Sequence, residues 1–525
     1  MTSTPSSFQG DCRAMRRGAD CRAAQAPAQA ASASGPRRGS APARAATRAL
    51  SAGTLALAVA SAAVLMLGGC AATGTAVPPA TQRAAADVGL ADGTATTAVD
   101  AAWWRQFGDA TLSALVERAL ADHPSQKAAA DRVVRAQALA EIAAGKDLPQ
   151  VGFEADAMRQ RVTEHGLYPP PYAGSTINTG NIQLGLTWSP DLFGKQRNAI
   201  ESALGAARAA QADAAVAGQQ LATQVARAYF QLARLGSQRE VAVATLKQRQ
   251  DQLTLIQQRV GAGLDTVVEL RQGEGALPDV RAQLESIDEQ IVLARHQLAV
   301  LTGQGPGALD ALSPTLATLT PRDQPAVLGA DLLARRPDVA AALARVDAAS
   351  HEVKVARAQF YPDIDLTAFV GFNSIGLDKL LDMGSRQFGA GPAIHLPIFE
   401  GGQLRANLKG KSAELNAAVE AYNQQVLDAV REAADASASA ASLARQRAET
   451  ARALASAESA FDVARQRYQQ GLSNYLVVLN TETTVLAQRR AAVDVQFRTL
   501  DVQAQLMKSL GGGWTAPAAT VAQSH

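Results

Sequence analysis

One side chain stands in a setting that invites covalent chemistry: Cys70, preceded by Leu67-Gly68-Gly69. Small residues just before a cysteine let a signal peptidase reach the backbone, and the thiol can then take a diacylglycerol. Upstream lies an apolar stretch from about Leu50 to Leu67, behind a basic region with eight Arg and no Lys. A bilayer span takes about 20 apolar residues, and this stretch is short of that. The reading is therefore a lipoprotein signal over 1–69 rather than a transmembrane anchor. Ala71 stands where retention in the inner membrane usually needs Asp, which points to the outer membrane.

Little else invites chemistry. Removal of the leader takes eight Arg and two Asp from the 50 basic and 48 acidic residues, leaving 42 and 46. A mildly acidic chain without a basic, aromatic-laced patch excludes nucleic acid as a partner. Cys12 and Cys21 leave with the leader, so no disulfide or cysteine metal site is expected within one mature chain. The six His are scattered without ligand spacing, and no metal site is expected. No nucleotide loop or nucleophile elbow is present, so no catalytic residue, no enzyme and no cofactor beyond the lipid on Cys70 is expected.

The elements that would position anything here come in two copies. An offset of 213 residues sets Pro124 on Pro337, Ile142-Ala143 on Val355-Ala356 and Pro149 on Pro362. An offset of 208 then holds without a gap from Gly194 on Gly402, through Arg259 on Arg467 and Gly263-Leu264 on Gly471-Leu472, to Gly303 on Gly511. Each copy opens with a short helix (Pro124 to about Leu148; Pro337 to about Phe360) whose Pro sits where a missing N–H costs nothing. Alternating stretches follow, read as two strands: Val151, Phe153, Ala155 and Ile182–Trp188 in one copy, Ile364, Leu366, Ala368 and Phe388–Leu396 in the other. Long helices are then expected over about Lys195–Val260 and Leu404–Tyr468, each ended by a Gly-Leu turn and a shorter returning helix.

Helices of this length reach roughly 100 Å at 1.5 Å per residue, which no globular domain buries. Leu246, Leu253 and Val260 recur at heptad spacing, as do Leu454, Phe461 and Tyr468, so both copies carry a coiled-coil seam. Aromatics are only 4% of a chain that is 47% hydrophobic, which suits closely packed Ala-rich helices. The opening and returning helices together match the rod in length and are expected to stack end to end beside it. Four strands cannot close a transmembrane barrel, and an open edge cannot face lipid. Pooling between chains resolves this, and three copies would supply twelve strands.

Several segments carry a resemblance. They are Trp103-Trp104-Arg105-Gln106-Phe107-Gly108-Asp109, Leu332–Asp338, Ala356–Pro362, Leu396–Gly402 and Arg467–Leu476. In order, and across essentially all of Cys70 to Gly513, the chain resembles the outer-membrane factors, the TolC-like efflux channels, especially their lipoprotein branch. The resemblance implies a mostly α, mixed α/β membrane protein with an internal tandem duplication. It implies a homotrimer that shares a 12-stranded transmembrane β-barrel, four strands per chain, over a coiled-coil α-barrel. The partners implied are a periplasmic adaptor, a proton-driven inner-membrane pump and outer-membrane lipid. The chain then divides into the signal and N-terminal extension (1–69), a lipidated segment with a first short helix (70–123), repeat 1 (124–304), an equatorial segment (305–336), repeat 2 (337–512) and a tail (513–525).

A tight helix–helix turn explains Gly263 and Gly471 by itself. The resemblance adds that adaptors dock and the pore closes at Gly263, Leu264, Asp265, Gly471, Leu472, Tyr475, Leu476 and Asn480. Leu476 matches a hydrophobic gate residue, whereas Asn480 falls where close relatives carry Asp, so closure is expected to rest mainly on Leu476. Asp265, Glu269 and Asp462 are acidic groups near the tip, although acids on long helices are most often a solvated face. Trp103-Trp104 is expected to pack the N-terminal segment, and Arg335-Arg336-Pro337-Asp338 to form a helix junction with charges free for subunit contacts. The alternative function is a lipid-anchored periplasmic adaptor, which usually has one hairpin and would not need two copies of paired strands.

Overall fold

Asp109 opens the first helix by accepting hydrogen bonds from the N–H groups of Thr111 and Leu112 at 2.8 and 3.0 Å. That helix, α1, spans Ala110–Asp122, and α2 spans Pro124–Gly145. The computed structural model describes residues 78–90, 98–321 and 329–516. Cys70 and the whole leader lie outside them.

Strands β1 (Gln150–Arg161) and β2 (Thr176–Trp188) precede the long helix α3 (Lys195–Gly261) and the returning helix α4 (Val267–Leu301). The second copy repeats the plan as α5 (Pro337–Ala358), β3 (Asp363–Ile375), β4 (Arg386–His395), α6 (Gln403–Gln469) and α7 (Tyr475–Ser509). Both rods are 67 residues long and both returning helices 35, so the duplication extends to element length. The strands run further than the alternating pattern indicates: β2 begins at Thr176, ahead of Ile182, and β3 continues past Ala368 to Ile375. Backbone pairing extends them through polar residues that periodicity does not mark.

The expected end-to-end stacking is present. The Cα of Gly303, just past α4, lies beside His123 at the start of α2, and Gly511, just past α7, abuts Arg335 before α5. The core fills the middle of the molecule, where Tyr229, Phe230 and Leu232 of α3 meet Trp103, Phe107, Leu112, Leu316, Leu332 and Leu506. Phe107 meets Phe230 edge-on at 5.0 Å between centroids, so the tryptophan segment packs inward as expected.

The four strands form one antiparallel sheet in the order β1-β2-β3-β4, with β1 and β4 as open edges. Register sorts most of the residues by face. One row reads Phe153, Leu184, Val370, Phe388; the row on the opposite face reads Glu154, Gln183, Gly371, Gln387. On the polar face Gln387 donates to Asn181 at 2.9 Å, Asn181 to Asp156 at 3.1 Å and Gln183 to Glu154 at 3.3 Å. On the apolar face Phe153 is 70% and Phe388 76% exposed, with nothing among the described residues to cover them. That is a wall with a lipid side and a water side. Phe153→Arg is expected to cost about 2–4 kcal/mol of bilayer-folded stability, against under about 1 kcal/mol for Asn181→Arg on the water face. Urea titration of folding into liposomes checks it. Among the described residues no helix is long and apolar enough to cross a membrane.

Candidate functional site

The two helical turns far from the sheet are built alike. Gly263 and Gly471 adopt φ of 74° and 75°, the left-handed geometry glycine takes most cheaply. The N–H of Leu264 reaches back to the Arg259 carbonyl and that of Leu472 to the Arg467 carbonyl, both at 2.8 Å. Thr266 and Glu269 form a capping box that restarts α4, and Asn474 accepts from the Val477 N–H to restart α7. Glu269 is thereby a capping residue, its carboxyl held below the usual range chiefly by the Thr266 hydroxyl.

Between the two turns lies a clasp that joins the copies. Arg259 bonds Asp265 through Nε at 2.8 Å and Nη2 at 3.2 Å, both side chains being nearly buried. Its Nη1 donates to the Tyr468 carbonyl at 3.2 Å, and its guanidinium lies 4.6 Å from the centre of the Tyr468 ring. The Tyr468 hydroxyl completes the triangle by donating to Asp265. Asp265 is therefore not on a solvated face, contrary to the general expectation for helix acids; Asp462 is exposed, with Arg465 at 4.0 Å.

The bound Arg259 guanidinium, helped by the Tyr468 hydroxyl, holds the Asp265 carboxyl below its ordinary value. A depressed carboxylate contributes stability that is fully present above its unfolded pKa, about 3.9, and lost as pH falls through the lower folded value. The clasp should thus persist down to about pH 4. Asp265→Asn should lower amide-exchange protection across 259–268 by about 1.5–3 kcal/mol at pH 7, with the difference vanishing in strong acid.

The remaining tip residues separate by face. Tyr475 is buried with Tyr468, Val478 and Ile256, its ring 5.8 Å from that of Tyr468. Leu476 and Asn480, one turn apart, are exposed, as are Leu264 and Leu472. Tyr475 therefore belongs to the core of the tip rather than to the surface that Leu476 presents.

Sequence reasoning missed the basic half of this site. Arg259 and Tyr468 stand out only as duplicated and heptad positions, with nothing local to pair them. It also missed Glu482, which occupies the buried stripe Tyr475-Val478-Glu482-Val485 of α7. Its Oε1 takes Gln248 at 3.0 Å and Arg249 at 3.4 Å across the boundary between copies. Burial raises this carboxyl despite the opposing Arg249 charge. A charge in an apolar heptad stripe was the available signal.

A protein-family model described as outer membrane efflux protein matches residues 115–304 and again 328–512. The chain belongs to that family. It is 40% identical over 373 residues to the fusaric acid resistance protein FusA of Burkholderia cepacia, covering 69% of this chain and 70% of that protein. It is 32% identical over 425 residues to the multidrug resistance outer membrane protein MdtP of Shigella flexneri, covering 79% and 87%. Among solved structures, the outer membrane protein VceC of Vibrio cholerae superposes with a TM-score of 0.75 at 35% identity, over 79% of this chain and 99% of VceC. The family is one of transport channels, and the chain is an outer-membrane efflux channel protein rather than an adaptor.

Proposed function

We propose that three copies of this chain close head to tail into one passive export duct, anchored in the outer membrane by lipid on Cys70. The observation that carries the reading is that the open edges continue through the molecule. Strand β1 leads from α2, β4 leads into α6, and among the described helices each of these columns has neighbours on one side only. Joining β4 of one copy to β1 of the next brings α6 against the next α2 and α4, so one contact satisfies sheet and rods together. Three copies give twelve strands, with Phe153 and Phe388 toward lipid and Glu154 and Gln387 toward water.

At the other end Leu476 closes the pore with little help from Asn480, which supplies no charge. The turns at Gly263, Leu264, Asp265, Gly471 and Leu472 receive a periplasmic adaptor, and Tyr475 holds the tip they stand on. A proton-driven inner-membrane pump chooses the cargo; the relatives' names span fusaric acid resistance, multidrug resistance and pyoverdine export. No cofactor and no catalytic step enters.

Native mass spectrometry of the protein extracted from outer membranes tests this, with a lipidated trimer expected. A monomer would sink the shared barrel. Leu476→Ala should raise basal ion leak through the trimer roughly tenfold, since even about 1.4 kcal/mol removed from the closed state shifts the ratio that far.

A further inference from the structure

Between β3 and β4 the chain folds back onto the sheet. Leu377–Lys379 and Met383–Ser385 form two 3₁₀ turns. A Cβ added to Gly180 of β2 would lie only 2.9 Å from methyls of both Leu377 and Leu380. The two leucines therefore rest on the strand at a point where glycine leaves them room. Gly180 belongs to the row Ala157, Gly180, Ser374. That row lies on the same face as Phe153, Leu184 and Val370, four residues away along each strand. The loop thus covers the lipid side of the wall, not its water side.

The row beneath it has no bulk of its own. Ala157, Gly180 and Ser374 are small, and the next pair on this face is Arg159 with Asn178. Gly180 lies eight residues from Trp188 at the helical end of β2. At about 3.4 Å per residue and a tilt of about 40°, that is roughly 20 Å of height, within an apolar band about 25 Å tall. Leu377 and Leu380 therefore supply the top of a band that the strands leave unfilled. The loop is itself two-sided: Leu377, Leu380 and Leu381 recur at one-turn spacing, with Asp378, Lys379 and Asp382 between them. Leu381 is 73% and Met383 74% exposed, with nothing among the described residues over them.

The loop also bonds its own backbone, as a lipid setting requires. The Gly376 N–H donates to the Asn178 carbonyl at 2.7 Å, Leu380 to Leu377 at 3.3 Å, Asp382 to Lys379 at 3.1 Å and Ser385 to Asp382 at 2.9 Å. The Ser374 and Ser385 hydroxyls donate to the Gly376 and Lys379 carbonyls at 2.8 and 2.7 Å. We propose that Gly376–Ser385 is an interfacial anchor lying against the barrel wall in the outer leaflet. Leu381 and Met383 sit among acyl chains, and Asp378, Lys379 and Asp382 sit at the headgroups. Arg159 and Arg386 flank the loop on the same face, and their length carries the charge up to lipid phosphates. The occupant is lipid because the patch continues the lipid-facing wall. This rests on the shared barrel proposed above.

Depth-resolved spin labelling tests it. Cys70 is the one cysteine left after the leader and is taken by lipid, so Leu381→Cys, Met383→Cys and Leu167→Cys each offer a single thiol. Leu167, in the β1–β2 loop, is 100% exposed and serves as the water reference. Each variant is nitroxide-labelled, confirmed trimeric and singly labelled by mass, and reconstituted into vesicles of phosphatidylethanolamine and phosphatidylglycerol. Oxygen concentrates in the bilayer and a nickel chelate in water. The ratio of oxygen to nickel accessibility should be severalfold higher at Leu381 and Met383 than at Leu167. Phe153→Cys and Asn181→Cys calibrate the lipid and water faces of the wall. Ratios at Leu381 and Met383 equal to that at Leu167, with Phe153 still in lipid, would overturn the proposal and put the loop in water. Phe153 in water would strike the shared barrel itself, and the anchor with it. Independently, Leu381→Asp with Met383→Asp should slow folding into these vesicles severalfold while Leu167→Asp leaves it unchanged; equal rates would also overturn the anchor.

Discussion

Arg336→Ala is expected to destabilise the protein by about 3–5 kcal/mol, the cost of breaking a buried ion-pair cluster from one side. Only 3% of the Arg336 side chain is exposed. Its Nη2 lies 2.6 Å from Asp338 and 2.9 Å from Glu432, and its Nη1 donates to the Ser509 carbonyl at 3.1 Å. One guanidinium thus ties the start of α5 to the middle of α6 and the end of α7, and Gln425 braces Asp338 from the side at 2.8 Å. Alanine would leave two carboxylates and a helix-terminal carbonyl facing one another without their shared donor. Lysine keeps the charge but not the planar fork, so Arg336→Lys should fall between the two. By contrast Arg431, 61% exposed beside Asp428 and Asp435, should tolerate alanine within about 0.5 kcal/mol. Thermal loss of the helical circular-dichroism signal in mild detergent ranks the three.

Arg336 also shows where sequence reading stops. The run Arg335-Arg336-Pro337-Asp338 identifies a helix junction correctly, because Pro at the first helical position is a local property. The expectation that its charges are free for subunit contacts is overturned: Arg336 is consumed inside the chain, and Arg335 pairs with Asp331 at 2.8 Å. The partners Glu432 and Ser509 lie 96 and 173 residues away, and no spacing rule reaches them. The same division runs through the molecule. Rod lengths, the glycine turns and the two faces of the sheet were legible because they follow from period 3.6, period 2 and positive φ. The link from Arg259 and Asp265 to Tyr468 was not, since only the packing of two separate hairpins brings Tyr468 to that pair.

Gly511→Ala is expected to cost about 3–5 kcal/mol, whereas Gly303→Ala, its duplicate, should cost only about 1–2 kcal/mol. Both glycines follow a returning helix with positive φ, 97° and 72°, so both variants carry the left-handed penalty for an L side chain. Their surroundings differ. A Cβ at Gly303 meets nothing nearer than the His123 Cα at 3.7 Å, an ordinary contact. At Gly511 it would overlap the Arg335 carbonyl oxygen and sit 2.9 Å from the carbonyl carbon. Backbone cannot rotate away as a side chain can, so α7 and the Arg335–Pro337 segment would have to separate, pulling Ser509 off Arg336. The damage from Gly511→Ala should therefore overlap with that from Arg336→Ala, and the double variant should lose clearly less than the sum of the two. Equal losses at Gly303 and Gly511 would show that backbone strain alone sets the cost. Strict additivity with Arg336→Ala would show that the two residues do not share one junction. The duplicated sequence makes the two sites look identical; the closer stacking of α7 on Arg335 than of α4 on His123 is what separates them.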